Sequence, residues 1–446
     1  MKVSVTTLGC RSNQYDSAAL EDSLREARME LTDFPGPADA VVINTCTVTS
    51  RTDSQSRQLI RRARKQNPDA VVVVTGCYAQ VSPEDVAGIE GVDYVIGNPD
   101  KGSVVECLKK GRNPGATETR VSDYRAGAPL TLRARSASGR ARANLKIQDG
   151  CDRACSYCII PRARGRSKSL AMDEVEREIA GLAQAGYREI ILTGIHLGAW
   201  GADLDPRHSI ADVLKHVARK AQGWRVRLSS IDADEVTGEL IDVMKTAPQV
   251  CSHLHLPLQS GDDSVIRGMN RPYTATLFAD KVTRIAREVK DVAIGVDVIA
   301  GFPGEGDREF ENTFRLLSDL PVAYMHVFPF SPRRGTPASE MPERAEPAVV
   351  RQRCARLREL GREKREAFYR RFVGRTMEVL AETRGDRNGL ARGRTSNYIP
   401  VLFEANTPPG GFTAVRLTGY DGSTMYGYGY GAVDRATPDL DDPEGP

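Results

Sequence analysis

Short apolar runs rich in β-branched residues alternate with longer polar stretches over roughly the first hundred residues of the chain. The apolar runs are KVSVTTLGC, AVVINTC, AVVVVTGC and VDYVIGN. The stretches between them carry cap-like starts followed by helix formers. Strands that alternate with helices at this spacing are typical of a parallel α/β sheet. We therefore predict an N-terminal α/β domain over residues 1–111.

A second alternation of strand and helix patterns begins at residue 143. Its apolar runs are LKIQ, REIILTGIHLG, RVRLSSID, HLHLPLQSG, VAIGVDVIAGFPG and YMHVFPFSP. Parallel strands with intervening helices predict a partial or full (β/α) barrel over residues 143–371, with its chemistry at the carboxyl ends of the strands. Residues 112–142 lack periodicity and are rich in Pro, Gly, Ser and Arg, so we predict a linker there.

The last part of the chain changes pattern again, after a long basic helix that ends near Arg371. Short strand-like runs with glycine turns, GRTMEVLAE, ARGRTSNYIPVLFE and FTAVRLTGYDGSTMYGYGY, predict a small β-barrel over residues 372–434. Residues 435–446 are acidic and contain proline, which predicts a disordered tail.

Composition narrows the class of protein. A chain of 446 residues with 40% hydrophobic and 27% charged residues is ordinary for a soluble protein of several domains. The start has no signal-peptide pattern, and no apolar run is long enough for a membrane span. We therefore predict a cytoplasmic protein without a membrane partner. Its nine cysteines are then expected to be metal ligands, catalytic thiols or core residues rather than disulfides.

Three cysteines each fall at the end of a predicted N-terminal strand: Cys10, Cys46 and Cys77. The carboxyl ends of parallel strands meet at one edge of a sheet, which is where such sheets gather ligands. Core packing accounts for one such cysteine, but three in register predict a bound metal or cluster.

Three more cysteines lie in the segment GCDRACSYCIIPRARGRSKS, at Cys151, Cys155 and Cys158. Structural zinc usually takes two cysteine pairs, whereas this single C-x3-C-x2-C triplet has no fourth cysteine nearby. Thiolates at this spacing suit an iron–sulfur cluster with one iron left open for a substrate or cofactor. A scaffold site with a distant fourth ligand is the alternative.

The triplet at the head of an α/β barrel resembles the signature of radical S-adenosylmethionine (SAM) enzymes, in particular their methylthiotransferase branch. TLGCRSNQ, NTCTVT and TGCYAQ resemble the N-terminal domain of that branch, and LHLPLQSGDDSVIRGMNRPYT and DVIAGFPGE resemble its barrel. The C-terminal β segment is similar to the RNA-binding TRAM domain. TLGCRSNQYDS, KIQDGC, GIHLGAWG and RLSSIDADEVT most resemble bacterial enzymes that methylthiolate N6-threonylcarbamoyladenosine, next to the tRNA anticodon at position 37.

The resemblance implies two 4Fe-4S clusters with different tasks. Cys151, Cys155 and Cys158 would hold the cluster whose open iron binds SAM and cleaves it to a radical that attacks a C–H bond of the base. The other cluster would carry the sulfur to be inserted, and a second SAM would methylate that sulfur; its implied ligands are Cys10, Cys46 and Cys77. The candidate SAM contacts at strand ends are Thr193, Gly194, Ser229, Gln259 and Asp297.

The implied partners are a tRNA substrate, a flavodoxin- or ferredoxin-like electron donor and a sulfur source. Base stacking is expected from the Tyr-rich end of the C-terminal segment. Phosphate contacts are expected from three basic segments, namely RQLIRRARK, PRARGRSK and residues 351–375. His253 and His255 share one strand face and are expected to be hydrogen-bonded core residues. A structural role is expected for Cys107, Cys251 and Cys354.

Two other functions remain open from the sequence. The first is a methylthiotransferase that acts on an aspartate of a ribosomal protein, with the same clusters and barrel. The second is a non-catalytic RNA-binding or zinc-binding regulator that kept the fold.

Overall fold

A computed structural model of the chain describes residues 1–113, 115–124, 141–383, 389–404 and 408–433. Most of the predicted linker and the whole predicted tail at residues 435–446 lie outside the described residues. The described part forms three units: an N-terminal α/β sheet, a central partial barrel and a C-terminal closed β-barrel.

The N-terminal unit is a six-stranded sheet in the order β2-β1-β3-β4-β5-β6, and all of its neighbouring strands are parallel. This confirms the predicted parallel α/β sheet. The sheet reaches into the predicted linker, because β6 pairs there with β5. The strands are β1 (Lys2–Thr7), β2 (Glu30–Thr32), β3 (Ala40–Thr45), β4 (Val71–Gly76), β5 (Tyr94–Ile96) and β6 (Glu118–Arg120). The helices are α1 (Arg11–Glu26), α2 (Ser50–Gln66), α3 (Cys77–Val81), α4 (Pro83–Ala87) and α5 (Val104–Lys110).

The two central strands of this sheet, β3 and β4, are buried along their whole length. Their alternate residues enter different cores: Val42 and Val73 pack on one face, and Val41 and Val72 pack on the other. A continuous apolar run is what a strand covered on both faces requires. The ends of β1, β3 and β4 therefore meet at one well-fixed edge.

The central unit contains two parallel three-stranded sheets, β11-β10-β7 and β12-β13-β14. Isolated bridges from Val226 to Val250 and from Ser230 to His255 join them, so the strands follow one another as an incomplete barrel with β7 and β14 at its edges. The predicted partial (β/α) barrel is confirmed. The main strands are β7 (Arg142–Lys146), β10 (Glu189–Thr193), β11 (Arg225–Leu228), β12 (His253–Gln259), β13 (Ala293–Ala300) and β14 (Tyr324–Pro329), with a two-stranded ribbon of β8 (Gln148–Asp149) and β9 (Lys168–Ser169).

Helices surround this barrel and form one large apolar core with its strands. None of the helices in the described chain is both long and apolar enough to cross a bilayer. The helices are α6 (Ile160–Arg164), α7 (Met172–Gln184), α8 (Ile210–Lys220), α9 (Gly238–Thr246), α10 (Asp263–Gly268), α11 (Ala275–Glu288), α12 (Asp307–Asp319), α13 (Pro337–Glu340) and α14 (Pro347–Arg370).

The C-terminal unit is a closed barrel in the order β15-β16-β17-β19-β18, as the strand-like runs predict. It buries an apolar centre that includes Val379, Val401 and Phe403. Its strands are β15 (Thr376–Thr383), β16 (Ala391–Thr395), β17 (Pro400–Glu404), β18 (Phe412–Asp421) and β19 (Thr424–Ala432).

The C-terminal barrel packs against the amino ends of the central strands. Glu189 at the start of β10 is fully buried and accepts hydrogen bonds from Arg225 and Arg227. Arg227 also donates to the carbonyls of Thr395 and Ser396. Burial favours the neutral acid, but Arg227 and Arg225 hold the pKa of Glu189 well below its usual range. This ion network fixes the C-terminal barrel to the end of the central barrel opposite the cysteine loop.

Candidate active site

The cysteine loop of the central barrel lies between β8 and α6, at the carboxyl ends of the strands. Backbone hydrogen bonds hold it: the N–H of Cys151 donates to Gly165, and the N–H of Cys158 donates to Cys155. Between them, Ser156 donates from its N–H to Met269 and from its hydroxyl to the carbonyl of Gly268, 2.7 Å away. These hydrogen bonds fix the backbone of the loop against α10 and the end of α6.

All three thiols of this loop line one cavity of about 170 Å³. Burial, together with the neighbouring thiols Cys155 and Cys151, raises the pKa of Cys158 to about 12. Ionising these thiols together is unfavourable unless a cation joins them. A positively charged metal–sulfide core with thiolate ligands removes that cost, so the donor set fits an iron–sulfur cluster.

A ring of charged side chains surrounds the same cavity. Arg271 lies 3.6 Å from the sulfur of Cys155 and donates to Asp232. Arg153 donates to Asp234 at 2.6 Å, and His196 lies 2.6 Å from Glu235. Burial opposes protonation of His196, but hydrogen bonds with Cys151 and Glu235 raise its pKa to about 10.

These charged residues were missed by the sequence analysis. The acidic stretch IDADE, directly after a predicted strand, was the available signal for the carboxylates. Arg271 lies far away in sequence, and only the fold brings it to the thiols.

The predicted SAM contacts occupy different places. Gln259 lines the cysteine cavity, and Thr193, Gly194 and Ser229 lie at the neighbouring ends of β10 and β11. The hydroxyl of Ser229 is buried and has no hydrogen-bond partner within the described chain, so it can accept or donate one. Asp297 does not line this cavity but lies 2.9 Å from the Nε2 atom of His255 and 3.2 Å from the Nδ1 atom of His326.

The predicted core roles of two histidines agree with their contacts. His253 and His255 are both buried and approach the hydroxyl of Tyr324 at 2.8 and 3.2 Å. The three cysteines outside the two trios are also buried, as their expected structural role requires; they are Cys107, Cys251 and Cys354.

The N-terminal trio meets at the edge of the sheet. Cys10 precedes α1, Cys46 follows β3, and Cys77 follows β4. Gly9 has φ +110°, and a Cβ there would lie 2.7 Å from the Cβ of Cys46, so only glycine allows these two loops to approach so closely. The glycine before Cys77, Gly76, has φ +101° and no room for a Cβ beside Thr45.

Polar groups surround this trio as well. Burial raises the pKa of Cys46 to about 12, and the nearby thiols of Cys77 and Cys10 add to the rise. The side chains of Asn13 and Asn98 each lie 3.8 Å from the sulfur of Cys77. Three clustered thiols again match the ligands of an iron–sulfur cluster. Amide groups placed beside the sulfur are typical of the shell that tunes such a centre.

The two trios belong to neighbouring segments of the fold, because α3, which begins at Cys77, packs against α6, which follows Cys158. Asn98 spans the junction: its amide approaches Cys77 and donates to the carbonyl of Ala163 at 2.6 Å. Arg164 is buried and donates from α6 to Asn13 and Asp16 in α1.

Two family models match the two parts of the site separately. Residues 2–97, which contain the N-terminal trio, match uncharacterized protein family UPF0004, and residues 145–317, which contain the central trio, match the radical SAM superfamily. The chain is 38% identical to the threonylcarbamoyladenosine tRNA methylthiotransferase MtaB of Bacillus subtilis over 407 residues. The aligned region covers 90% of each of the two chains. The chain belongs to the MtaB family. MtaB of Aquifex aeolicus is 34% identical over 91% of this chain and 97% of its own length.

A solved structure supports the fold of this MtaB family member. The radical S-adenosylmethionine methyltransferase TsrM from Kitasatospora setae, with cobalamin and a [4Fe-4S] cluster bound, superposes with a TM-score of 0.56. The two chains are 16% identical, and the match covers 76% of this chain and 77% of TsrM. The radical SAM fold predicted from the cysteine triplet is confirmed.

Two arginines expected to contact phosphate are buried instead. Arg164 is only 2% exposed in the junction between the trios, and Arg353 on α14 donates to Glu305 and Asp307. The prediction is wrong for these two residues, because their charges are used inside the protein. The Tyr-rich end of the C-terminal barrel does present free rings, with Tyr428 53% and Tyr430 67% exposed.

Proposed function

We propose that this protein converts N6-threonylcarbamoyladenosine at position 37 of tRNA into its 2-methylthio derivative. The observation that carries the proposal is the packing of α3 against α6, because α3 begins at Cys77 of one trio and α6 begins just after Cys158 of the other. A single trio suits a radical enzyme in general. A second trio next to it suits an enzyme that must also deliver sulfur to the activated carbon.

The cysteine trios would hold the two 4Fe-4S clusters, one each. When bound, the clusters and SAM supply the radical chemistry and the sulfur that an inert C–H bond of a base requires. Arg271 would donate a hydrogen bond to the sulfur of Cys155, and Asp232 orients the guanidinium of Arg271 for that contact.

The cavity beside the central trio is the site we assign to SAM. Gln259 offers an amide at its wall, and the strand ends around it offer backbone groups and the free hydroxyl of Ser229. We keep Thr193 and Gly194 as backbone contacts. Asp297 lies against His255 and His326 and, like Thr193 and Gly194, is not in the lining of this cavity; it stays a predicted SAM contact.

The tRNA would contact the C-terminal barrel and the free face of α14. Tyr428 and Tyr430 present rings on which unpaired bases can stack. Among the described residues, Arg351 and Arg358 of α14 are exposed and have no ion-pair partner. We retain a flavodoxin- or ferredoxin-like electron donor, an external sulfur source and a cytoplasmic site of reaction.

Reversing the charge of Arg351 and Arg358 together, as R351E/R358E, is expected to weaken tRNA binding and to lower its salt dependence. Each lost phosphate contact removes a slope of about 0.7 to 0.9 in a plot of log K against log salt concentration. Binding of labelled tRNA at several salt concentrations measures the slope. R356E serves as a control, because Arg356 already pairs with Glu311. An unchanged slope in R351E/R358E would remove this face of α14 from the tRNA interface.

The substrate is tested by nucleoside mass spectrometry of tRNA from a deletion strain. We expect the 2-methylthio nucleoside to disappear and the N6-threonylcarbamoyladenosine precursor to accumulate. The wild-type chain restores the product, whereas a C46S variant does not, because the N-terminal trio is then incomplete. Product that persists in the deletion strain contradicts the proposal. If methylthioaspartate in a ribosomal protein is lost instead, the substrate is that protein.

A further inference from the structure

The open edge of the central barrel presents an unusual pair of side chains. His326 and Phe328 alternate along one face of β14, and their side chains are 55% and 42% exposed. Most other barrel strands bury nearly all their residues, as β10 and β11 do. The two rings stand at 76° to one another with their centroids 6.5 Å apart, so a planar ring can stack on the exposed Phe328 ring and meet the edge of the imidazole; we call this pair the β14 platform.

This platform lies beside the N-terminal trio. Just after β14, the hydroxyl of Ser331 lies 3.0 Å from the backbone N–H of Ser50. Arg333 donates to Thr47, the residue that follows Cys46, at 2.6 Å. The end of β14 is therefore fixed against the loop that carries Cys46 of the N-terminal trio.

A side cavity of about 190 Å³ opens at the other end of β14, between this strand, α14 and the C-terminal barrel. Sites for drug-sized ligands measure roughly 300 Å³ or more, so this cavity is too small for a whole nucleotide and large enough for a substituent. Rings and positive charges dominate its wall, which includes Tyr324, His326, Arg365, Tyr369, Arg394 and Tyr398.

The charges around this cavity favour an anion. Within the described chain, Arg365 has no carboxylate in ion-pair distance, and its buried Nε has no hydrogen-bond partner. Arg394 lies over the ring of Tyr398 at 4.5 Å and has one acidic neighbour, Glu382, at 3.4 Å. Burial disfavours ionisation of Tyr398, yet Arg11, Arg394 and further arginines lower its pKa.

Arg11 connects the cavity to the N-terminal trio. It follows Cys10 directly, and its guanidinium donates to the hydroxyl of Tyr398 at 3.1 Å. Among the described residues it has no carboxylate partner. The ring of Tyr324, in turn, lies 5.4 Å from that of His326. A ligand held on the β14 platform can thus reach both the N-terminal trio and the basic cavity.

We propose that this cavity binds the carboxylate-bearing N6 substituent of the target adenosine, while the exposed ring of Phe328 supports its purine ring. The inference rests on the proposed function. The threonylcarbamoyl group ends in a carboxylate and a hydroxyl, which Arg365 and the imidazole of His326 can bind. Unmodified adenosine has neither group, so these residues determine which base is accepted.

The test compares two synthetic anticodon stem-loops that differ only at position 37, one with N6-threonylcarbamoyladenosine and one with adenosine. Binding to the cluster-loaded full-length protein is measured under anaerobic conditions. R365Q is expected to weaken binding of the modified RNA about tenfold, because a hydrogen bond between charged groups is lost. Binding of the adenosine RNA is expected to change less than about twofold. H326Q should act in the same direction, and R365K should restore part of the preference.

R362Q is the matched control, since Arg362 lies one turn earlier on α14 and pairs with Glu359 and Glu366 away from the cavity. It should leave the preference for the modified RNA intact. Equal weakening of both RNAs by R365Q would mean a phosphate contact and would overturn the inference, as would an unchanged preference. Iron content and visible absorption are measured for each variant, so loss of clusters is recognised.

The outcomes separate this inference from the proposed function. If the wild-type chain fails to methylthiolate tRNA that carries N6-threonylcarbamoyladenosine, the proposed function itself is wrong. If the wild type modifies that tRNA and R365Q keeps the same preference, only the assignment of this cavity is wrong.

Discussion

Replacing Cys151, Cys155 and Cys158 together with alanine is expected to lower the iron content from about eight to about four atoms per chain, with an equal fall in sulfide. The three thiols line one cavity, and none of the other cysteines of the described chain lines it, so no thiol there can replace them. The remaining cluster would stay on the N-terminal trio. Binding of SAM and formation of the methylthio product should both be abolished.

A variant of the N-terminal trio shows whether the loss of SAM binding belongs to the central trio alone. Replacing Cys10, Cys46 and Cys77 should also remove about four irons, but it should leave SAM binding intact, since the cavity beside Cys151 is untouched. C107A is the control, because Cys107 is buried like Cys46 and Cys77 but lies in the apolar core of the N-terminal sheet. Iron and zinc analysis after anaerobic purification measures the outcome. A colourless wild type with stoichiometric zinc would favour the non-catalytic regulator.

The positions of Cys10, Cys46 and Cys77 at one sheet edge could be predicted because strand ends are visible in the sequence. A fully apolar run such as VVVV marks a strand covered on both faces, and the cysteine after it must then lie at the sheet edge. The same reasoning located the six main strands of the central barrel. It also placed Gln259 beside the central trio, since the residue ends β12.

The charged part of the site could not be predicted in the same way. A run of basic residues has the same sequence pattern whether its side chains face solvent or a buried carboxylate. Only the fold shows that Arg164 donates to Asp16. Arg271 and Asp232 are likewise partners from different segments, 39 positions apart. For Asp297, the sequence predicts the strand but not the partners of its side chain. These partners are His255 and His326, which belong to the two neighbouring strands.

The second large effect is expected on the stability of the protein, when the buried junction between the two trios loses the charge of Asp16. Asp16 accepts hydrogen bonds from Lys101, Lys146 and Arg164, and all four side chains are at most 6% exposed. Apart from Asp16, the carboxylate that balances these cations is Asp149, which pairs with Lys146 and Arg164. Asp16 thus joins α1 of the N-terminal unit to β7 and α6 of the central barrel.

D16N is expected to lower the free energy of unfolding by about 3–5 kcal/mol, because it leaves buried cations without their carboxylate. This corresponds to a fall in melting temperature on the order of 10 °C. E106Q is the control: it removes an exposed carboxylate that pairs with Lys110 and should change little. A melting temperature as high in D16N as in E106Q would contradict the role given to Asp16.

The pH dependence of the same variant gives an independent check. Burial favours the neutral acid, but the charges of Lys101, Lys146 and Arg164 hold the pKa of Asp16 far below its usual range. A depressed native pKa stabilises the fold above the unfolded pKa of about 3.9, and that contribution is lost as pH falls further. The stability gap between wild type and D16N should therefore be constant near neutral pH and should narrow below about pH 4. A gap that closes between pH 6 and 8 would mean that another group carries the effect.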